Sequence, residues 1–195
     1  MISPIELKRK LIHFFNLIIP FTYLTIFPDR MNMTIVMIIV AVIFLALDLA
    51  RMRNGFVMAI FRKLFNPLMR KHELEGKLTG ATWVVLVSIP MIYFYPKNIA
   101  VLSLIFMSLG DGAAAIVGQA YGRIKIGSKT LEGTLGCFTV GMVISLFLNL
   151  LPLSVSFTGA LSAAIFEVLP LNIDDNILIP IGSGTAMYIV SVWIT

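Results

Sequence analysis

The chain has 195 residues, 58% of them apolar and only 13% charged, with a formal net charge of +5 and a mean hydropathy of +0.95. A soluble domain carries about 25% charged residues, so a water-soluble globular fold is excluded. The lone cysteine, Cys137, rules out a disulfide framework, and two histidines, His13 and His72, are too few for a structural zinc site. The basic balance fits the cytoplasmic loops of a membrane protein better than a nucleic-acid partner.

A transmembrane helix needs about 20 mostly apolar residues. Seven stretches qualify: 11–28, 33–50, 78–95, 99–118, 133–152, 154–170 and 177–194. The fifth and sixth are separated by Pro152 and Leu153, which predicts a tight helical hairpin. Lys8, Arg9 and Lys10 precede the first stretch as they would in a signal peptide. No small-x-small cleavage site follows, however, and Pro20 with bulky aromatics stands in its place, so the stretch reads as a mature anchor. From Gly55 to Lys71, apolar residues alternate with Arg62, Lys63, Arg70 and Lys71, the pattern of a basic amphipathic helix at the membrane interface, broken near Pro67. The expected fold is all-α: one integral membrane domain over 1–195, with about seven transmembrane helices and one interfacial helix.

With the N-terminus inside, the inner segments hold Lys8, Arg9, Lys10, Arg51, Arg53, Arg62, Lys63, Arg70, Lys71, Lys77, Arg123, Lys125 and Lys129, and the outer loops hold only Arg30 and Lys97. This bias predicts a cytoplasmic N-terminus and active site, with the C-terminus on the opposite side.

Charged groups inside or at the edges of spans are costly, and each marks a candidate site. Glu6, Arg9, Lys10 and His13 share one helical face, as do Asp48 and Arg51. Interfacial anchoring and an i,i+3 ion pair are the structural alternatives for these two groups. Residues 110–133 form the densest cluster, with Asp111, Arg123, Lys125, Lys129, Thr130 and Glu132 among glycines 110, 112, 118, 122, 127 and 133. Asp111 lies about two turns inside the end of an apolar span and needs a cation or a metal. The glycines admit a close ligand, the cations suit phosphates, and aspartate with phosphate is a common Mg²⁺ cradle. Gly122-x4-Gly127-Ser128-Lys129-Thr130 has one residue too many for a P-loop and no preceding strand, so a P-loop NTPase is rejected. Glu167 lies near a span end, and Asp174, Asp175 and Asn176 form an acidic turn that suits a metal, a proton or a helix cap.

These motifs resemble the polyprenol kinase group: dolichol kinase, phytol kinase and CTP-dependent diacylglycerol kinase. The resemblance rests on Glu6-x2-Arg9-Lys10-x2-His13, Asp48-x2-Arg51, Leu78-Thr79-Gly80, Asp111-x2-Ala114-x3-Gly118-x3-Gly122, Lys129-Thr130-x-Glu132-Gly133, Glu167 and Asp175-Asn176. It implies transfer of the γ-phosphate of CTP to a membrane lipid alcohol, with Mg²⁺ as cofactor, and phosphoryl transfer asks mainly for positioning and charge neutralisation. In that reading Asp111, with Glu132 or Asp48, holds the metal. Lys129, assisted by Arg123 and Lys125, binds phosphate oxygens, and His13, Asp48 or Asp175 is the base. Arg9, Lys10, Arg51, Gly118, Gly122, Thr130, Gly133, Asp175 and Asn176 line the nucleotide site. The distantly related CTP:phosphatidate cytidylyltransferases share an Asp…Lys-x-x-Glu-Gly-like segment, but their Asp-Arg-x-Asp signature is absent, which favours the kinase. A small transporter is a weaker rival, because the polar groups collect at span ends rather than at the midplane.

Overall fold

The computed structural model describes residues 13–65, 73, 76–171 and 173–194. In chain order the helices are α1 (Ile18–Thr25), α2 (Arg30–Arg53), α3 (Gly55–Phe65), α4 (Gly80–Phe94), α5 (Lys97–Ile105) and α6 (Asp111–Tyr121), then α7 (Leu131–Leu148), α8 (Leu153–Val168) and α9 (Asp175–Ile194). A π-helical segment, Phe106–Gly110, joins α5 to α6. Between α6 and α7 lie two short strands, β1 (Lys125–Ile126) and β2 (Lys129–Thr130).

All seven apolar stretches are largely helical where they are described, and the described fold is a helical bundle. Seven transmembrane helices go beyond what it shows. Among the described residues, four helices are long and apolar enough to cross a bilayer: Arg30–Arg53, Lys97–Tyr121, Leu131–Leu148 and Asp175–Ile194. Gly80–Phe94 and Leu153–Val168 are apolar but shorter. At 1.5 Å per residue, the 15 residues of α4 reach about 22 Å, short of a hydrocarbon core of about 30 Å.

Local chemistry sets the helix ends. Asp29 caps α2 by accepting from the Asn32 N–H at 2.9 Å, and Thr79 caps α4 by accepting from Thr82. Asn149, with a left-handed φ of 46°, stops α7, and Pro152 opens α8 three residues later. The expected hairpin between these spans is therefore present, with its turn a few residues earlier than the sequence suggested.

The central element is the continuous α5–π–α6 rod, whose apolar window is 78% buried against 22–33% for the other three long helices. Residues Ile99 to Met107 form its core face, and Met187 and Ala160 pack nearby. Small residues let the helices close in. A Cβ on Gly141 would stand 3.1 Å from that of Ala160, and one on Gly159 would stand 3.1 Å from Phe106.

The expected amphipathic helix is present as α3, which has no buried residue and exposes Phe56, Ile60, Leu64 and Phe65. Residues 66–71 of that expectation lie outside the described residues. Asn54 starts the helix, its side chain accepting from the Phe56 N–H at 2.9 Å.

Candidate active site

The π segment ends at Gly110, and the next residue is Asp111, buried at the start of α6. π segments widen a helix by one residue and recur at functional sites. Here the widened turn is tightly held, since a Cβ on Gly110 would stand 2.9 Å from Cys137 Sγ. His13, also buried, comes from the opposite end of the sequence and places Nδ1 3.6 Å from Asp111 Oδ2. Glu167 and Asp175 lie within electrostatic range of Asp111. Three carboxylates from three helices thus gather at one end of the bundle.

The loop beside them is a β-hairpin, which helix periodicity did not reveal. Lys125 pairs with Thr130 and Ile126 with Lys129, antiparallel. Its two-residue turn, Gly127-Ser128, begins at φ +61°, a conformation glycine adopts without strain. The Lys-Thr-x-Glu-Gly string reads directly as structure. Thr130 caps α7, its hydroxyl accepting from the Gly133 N–H at 3.1 Å. Both oxygens of Glu132 accept from the Ile124 N–H, at 3.2 and 3.3 Å, closing the hairpin onto α7. Gly133 lies in the α6–α7 seam, where a Cβ would be 2.7 Å from the Ala114 carbonyl oxygen.

Lys129 crosses from the hairpin to the junction of α8 and α9. Its ammonium donates to the Glu167 carbonyl oxygen and to Asp175 Oδ2 at 3.0 Å, and stands 3.2 Å from Glu167 Oε1. Thr134 Oγ1 donates to the other oxygen of Glu167 at 3.4 Å. Burial pulls the Lys129 pKa down, but the charges of Asp175 and Glu167 outweigh it and hold the value above the usual 10.5.

A second network lies on the neighbouring face. Asp48 Oδ1 accepts from Arg51 Nε at 2.9 Å, and its Oδ2 accepts from the Thr79 N–H, the Thr79 hydroxyl and the Thr82 hydroxyl at 2.8, 3.1 and 2.7 Å. Arg51 also donates to the carbonyls of Glu73 and Lys77, at 2.5 and 2.6 Å. Glu73 Oε1 in turn accepts from the Gly80 N–H at 2.8 Å. Asn176 completes the link to α9, because a Cβ on Gly80 would stand 3.2 Å from Asn176 Nδ2.

The sequence candidates therefore divide by place. Asp111, His13, Lys129, Asp175 and the unforeseen Thr134 converge with Glu167. Asp48 and Arg51 form a network with Thr79, Thr82 and Glu73, none of which the charge pattern singled out except Thr79, through its Leu-Thr-Gly motif. The proposed metal set of Asp111, Glu132 and Asp48 sits in three different settings, and no group of three metal-donating side chains occurs among the described residues. Gly118 and Gly133 face each other in the α6–α7 seam with Thr130 between them, and Gly122 meets Thr130 as well. Their observed role is close helix packing. Arg123 and Lys125 are exposed on the hairpin, without a salt bridge among the described residues. Arg9 and Lys10 lie outside the described residues.

The chain is similar to several known proteins over most of its length. The chain is 29% identical to CTP-dependent diacylglycerol kinase 1 of Saccharomyces cerevisiae, over 93% of this chain and 72% of that protein. It is 26% identical to the probable chloroplastic phytol kinase 1 of Oryza sativa, over 94% of this chain and 64% of that one. These relatives support a place for the chain in the polyprenol and lipid kinase family. The chain is also 27% identical to an uncharacterised protein of Rickettsia prowazekii, over 90% of both chains. No family model matches the chain, and no solved structure matches it. Within this family, the Asp111 and Lys129-Thr130-x-Glu132-Gly133 segments are the ones the structure brings side by side at the end of α6 and the start of α7.

Proposed function

We propose that the protein is a CTP-dependent kinase that transfers the γ-phosphate to the hydroxyl of a membrane lipid alcohol. The observation that carries the reading is the convergence of buried Asp111 with Glu167, Asp175 and the basic hairpin at one end of an apolar bundle. The names of the yeast and rice relatives support a nucleotide donor and a lipid acceptor. The excess of Lys and Arg in the segments at this end supports a cytoplasmic site, on the side where nucleotides are found.

In the reaction, the lipid hydroxyl oxygen attacks the γ-phosphorus, the bond from that phosphorus to the β–γ bridging oxygen breaks, and CDP leaves with the freed charge. The hydroxyl proton passes to His13, whose ring lies 3.6 Å from Asp111. Asp48 is a poorer base, because four donors already engage its carboxylate. Mg²⁺ usually takes one or two carboxylates and completes its shell with phosphate and water. Asp111 fits that demand as the protein's ligand, and the ion supplies neutralisation of the phosphate charge. The basic hairpin adds cations to the same phosphates, and the transfer itself asks for little more than alignment and charge.

The test uses purified protein in vesicles with Mg²⁺, phytol, diacylglycerol and phosphatidate, and CTP labelled on either the γ- or the α-phosphate. Label reaching lipid from the γ-position alone is the expected result. Label from the α-position alone means a cytidylyltransferase and overturns the kinase reading. No label from either sinks both.

A further inference from the structure

The surroundings of Lys129 differ from those of the other hairpin cations. An ammonium has three N–H donors. Three oxygens surround that of Lys129: the Glu167 carbonyl, Glu167 Oε1 and Asp175 Oδ2. Engaging a phosphate would take the ammonium away from all three, and would leave Glu167, which is only 5% exposed, as a bared buried carboxylate. Glu167 and Asp175 come from the two sides of a turn, and as like charges they need a cation between them to stay close. Lys125 is exposed one strand position from Ile126, the partner of Lys129, Arg123 is exposed just before that strand, and neither makes a salt bridge among the described residues.

We infer that Lys129 is a positioning residue rather than a phosphate ligand: it holds Glu167 and Asp175 beside Asp111, while Arg123 and Lys125 meet the nucleotide's phosphates. The inference rests on the kinase reading and reassigns the work of the three hairpin cations within it. Glu167 thereby enters the site as a carboxylate held in place beside the reacting groups, and Thr134 steadies its second oxygen.

Steady-state kinetics with CTP and Mg²⁺, in vesicles holding phytol and diacylglycerol, separate the two roles. Lys129→Met should lower kcat about a hundredfold, the loss that a displacement of about 1 Å brings, with KM for CTP unchanged. Arg123→Ala combined with Lys125→Ala should raise KM for CTP about tenfold or more and weaken its salt dependence. The double variant Lys129→Met/Glu167→Gln removes the bared charge. It should regain the Tm that Lys129→Met loses, and it should still turn over slowly.

A rise in KM for CTP with kcat kept, in Lys129→Met, overturns the inference, because Lys129 is then the phosphate ligand. Recovery of turnover together with Tm in the double variant also overturns it, because the contact is then structural alone. A wild-type protein that moves no label defeats the kinase reading separately. CTP binding by equilibrium dialysis then decides the assignment: affinity retained in Lys129→Met supports it, and affinity lost overturns it.

Discussion

Arg51 holds Asp48 with its Nε at 2.9 Å and spends its remaining nitrogens on the carbonyls of Glu73 and Lys77, so one buried ion pair fixes the chain on both sides of position 76 to the end of α2. The pair is nearly fully buried, with Arg51 at 1% and Asp48 at 2% exposure. Phe61 of α3 lies under the same guanidinium, 5.9 Å from ring centre to Cζ. A planar fork reaching three acceptors is a task for arginine, and lysine lacks the geometry.

Breaking this pair should therefore be severe. Arg51→Ala leaves Asp48 buried and uncompensated, at a cost of about 3–5 kcal/mol. Thermal unfolding in detergent should show a large fall in Tm, and Arg51→Lys should recover only part of it. An unchanged Tm for Arg51→Ala would contradict the network described here.

Asp111→Asn should abolish phosphoryl transfer while leaving insertion and Tm close to wild type. The substitution keeps the volume of the side chain and removes the negative charge with which, in the proposed mechanism, Asp111 would hold the metal. A loss of about a thousandfold or more in kcat is expected, of the order seen when a key electrostatic group is removed. Near-normal turnover would remove Asp111 from the chemistry.

The α6–α7 seam predicts a contrast between two glycines. Gly133→Ala drives a methyl to 2.7 Å from the Ala114 carbonyl and should cost about 1–3 kcal/mol, the range for overpacking. Gly55→Ala meets nothing among the described residues within 4 Å and should shift stability by less than about 0.5 kcal/mol. Equal effects on Tm would argue against the seam.

The pKa of Lys129 sets a pH window. Its folded value lies above the ordinary 10.5, so the stabilisation from the charged ammonium is complete below that value and fades as pH rises through the higher folded one. The Tm difference between the wild type and Lys129→Met should stay level from about pH 7 to about pH 9. It should narrow only in more alkaline solution. Narrowing across neutral pH would mean that the ammonium is not held as described.

The exposed face of α3 predicts its depth. Phe56, Ile60 and Leu64 follow at four-residue spacing, with Arg62 on the other side of the helix. A tryptophan replacing Phe56 should be quenched by lipids brominated in the acyl chain, and one replacing Arg62 should be quenched by aqueous acrylamide instead.

The sequence by itself determined the solvent and most of the helices. Apolar runs and a break such as Pro152-Leu153 act over one or two turns, so they can be read locally, and they put the long helices within a few residues of their observed ends. The amphipathic period of α3 was legible for the same reason. The two-stranded hairpin was not, because its strands are two residues each and too short to show a period. The apolar runs predicted seven spans, and among the described residues α4 and α8 are apolar but shorter than the four long helices.

Only the tertiary structure decided which charge meets which. The spacing of Asp48 and Arg51 allowed an ion pair, but Thr79, Thr82 and the carbonyls of Glu73 and Lys77 reach it from 22 to 34 residues away. Lys129 follows glycines in a basic loop, and the partners that the fold gives it lie 38 and 46 residues ahead. A buried charge is stable only where the fold brings it a counter-charge. That pairing belongs to the packed helices, and local sequence does not encode it.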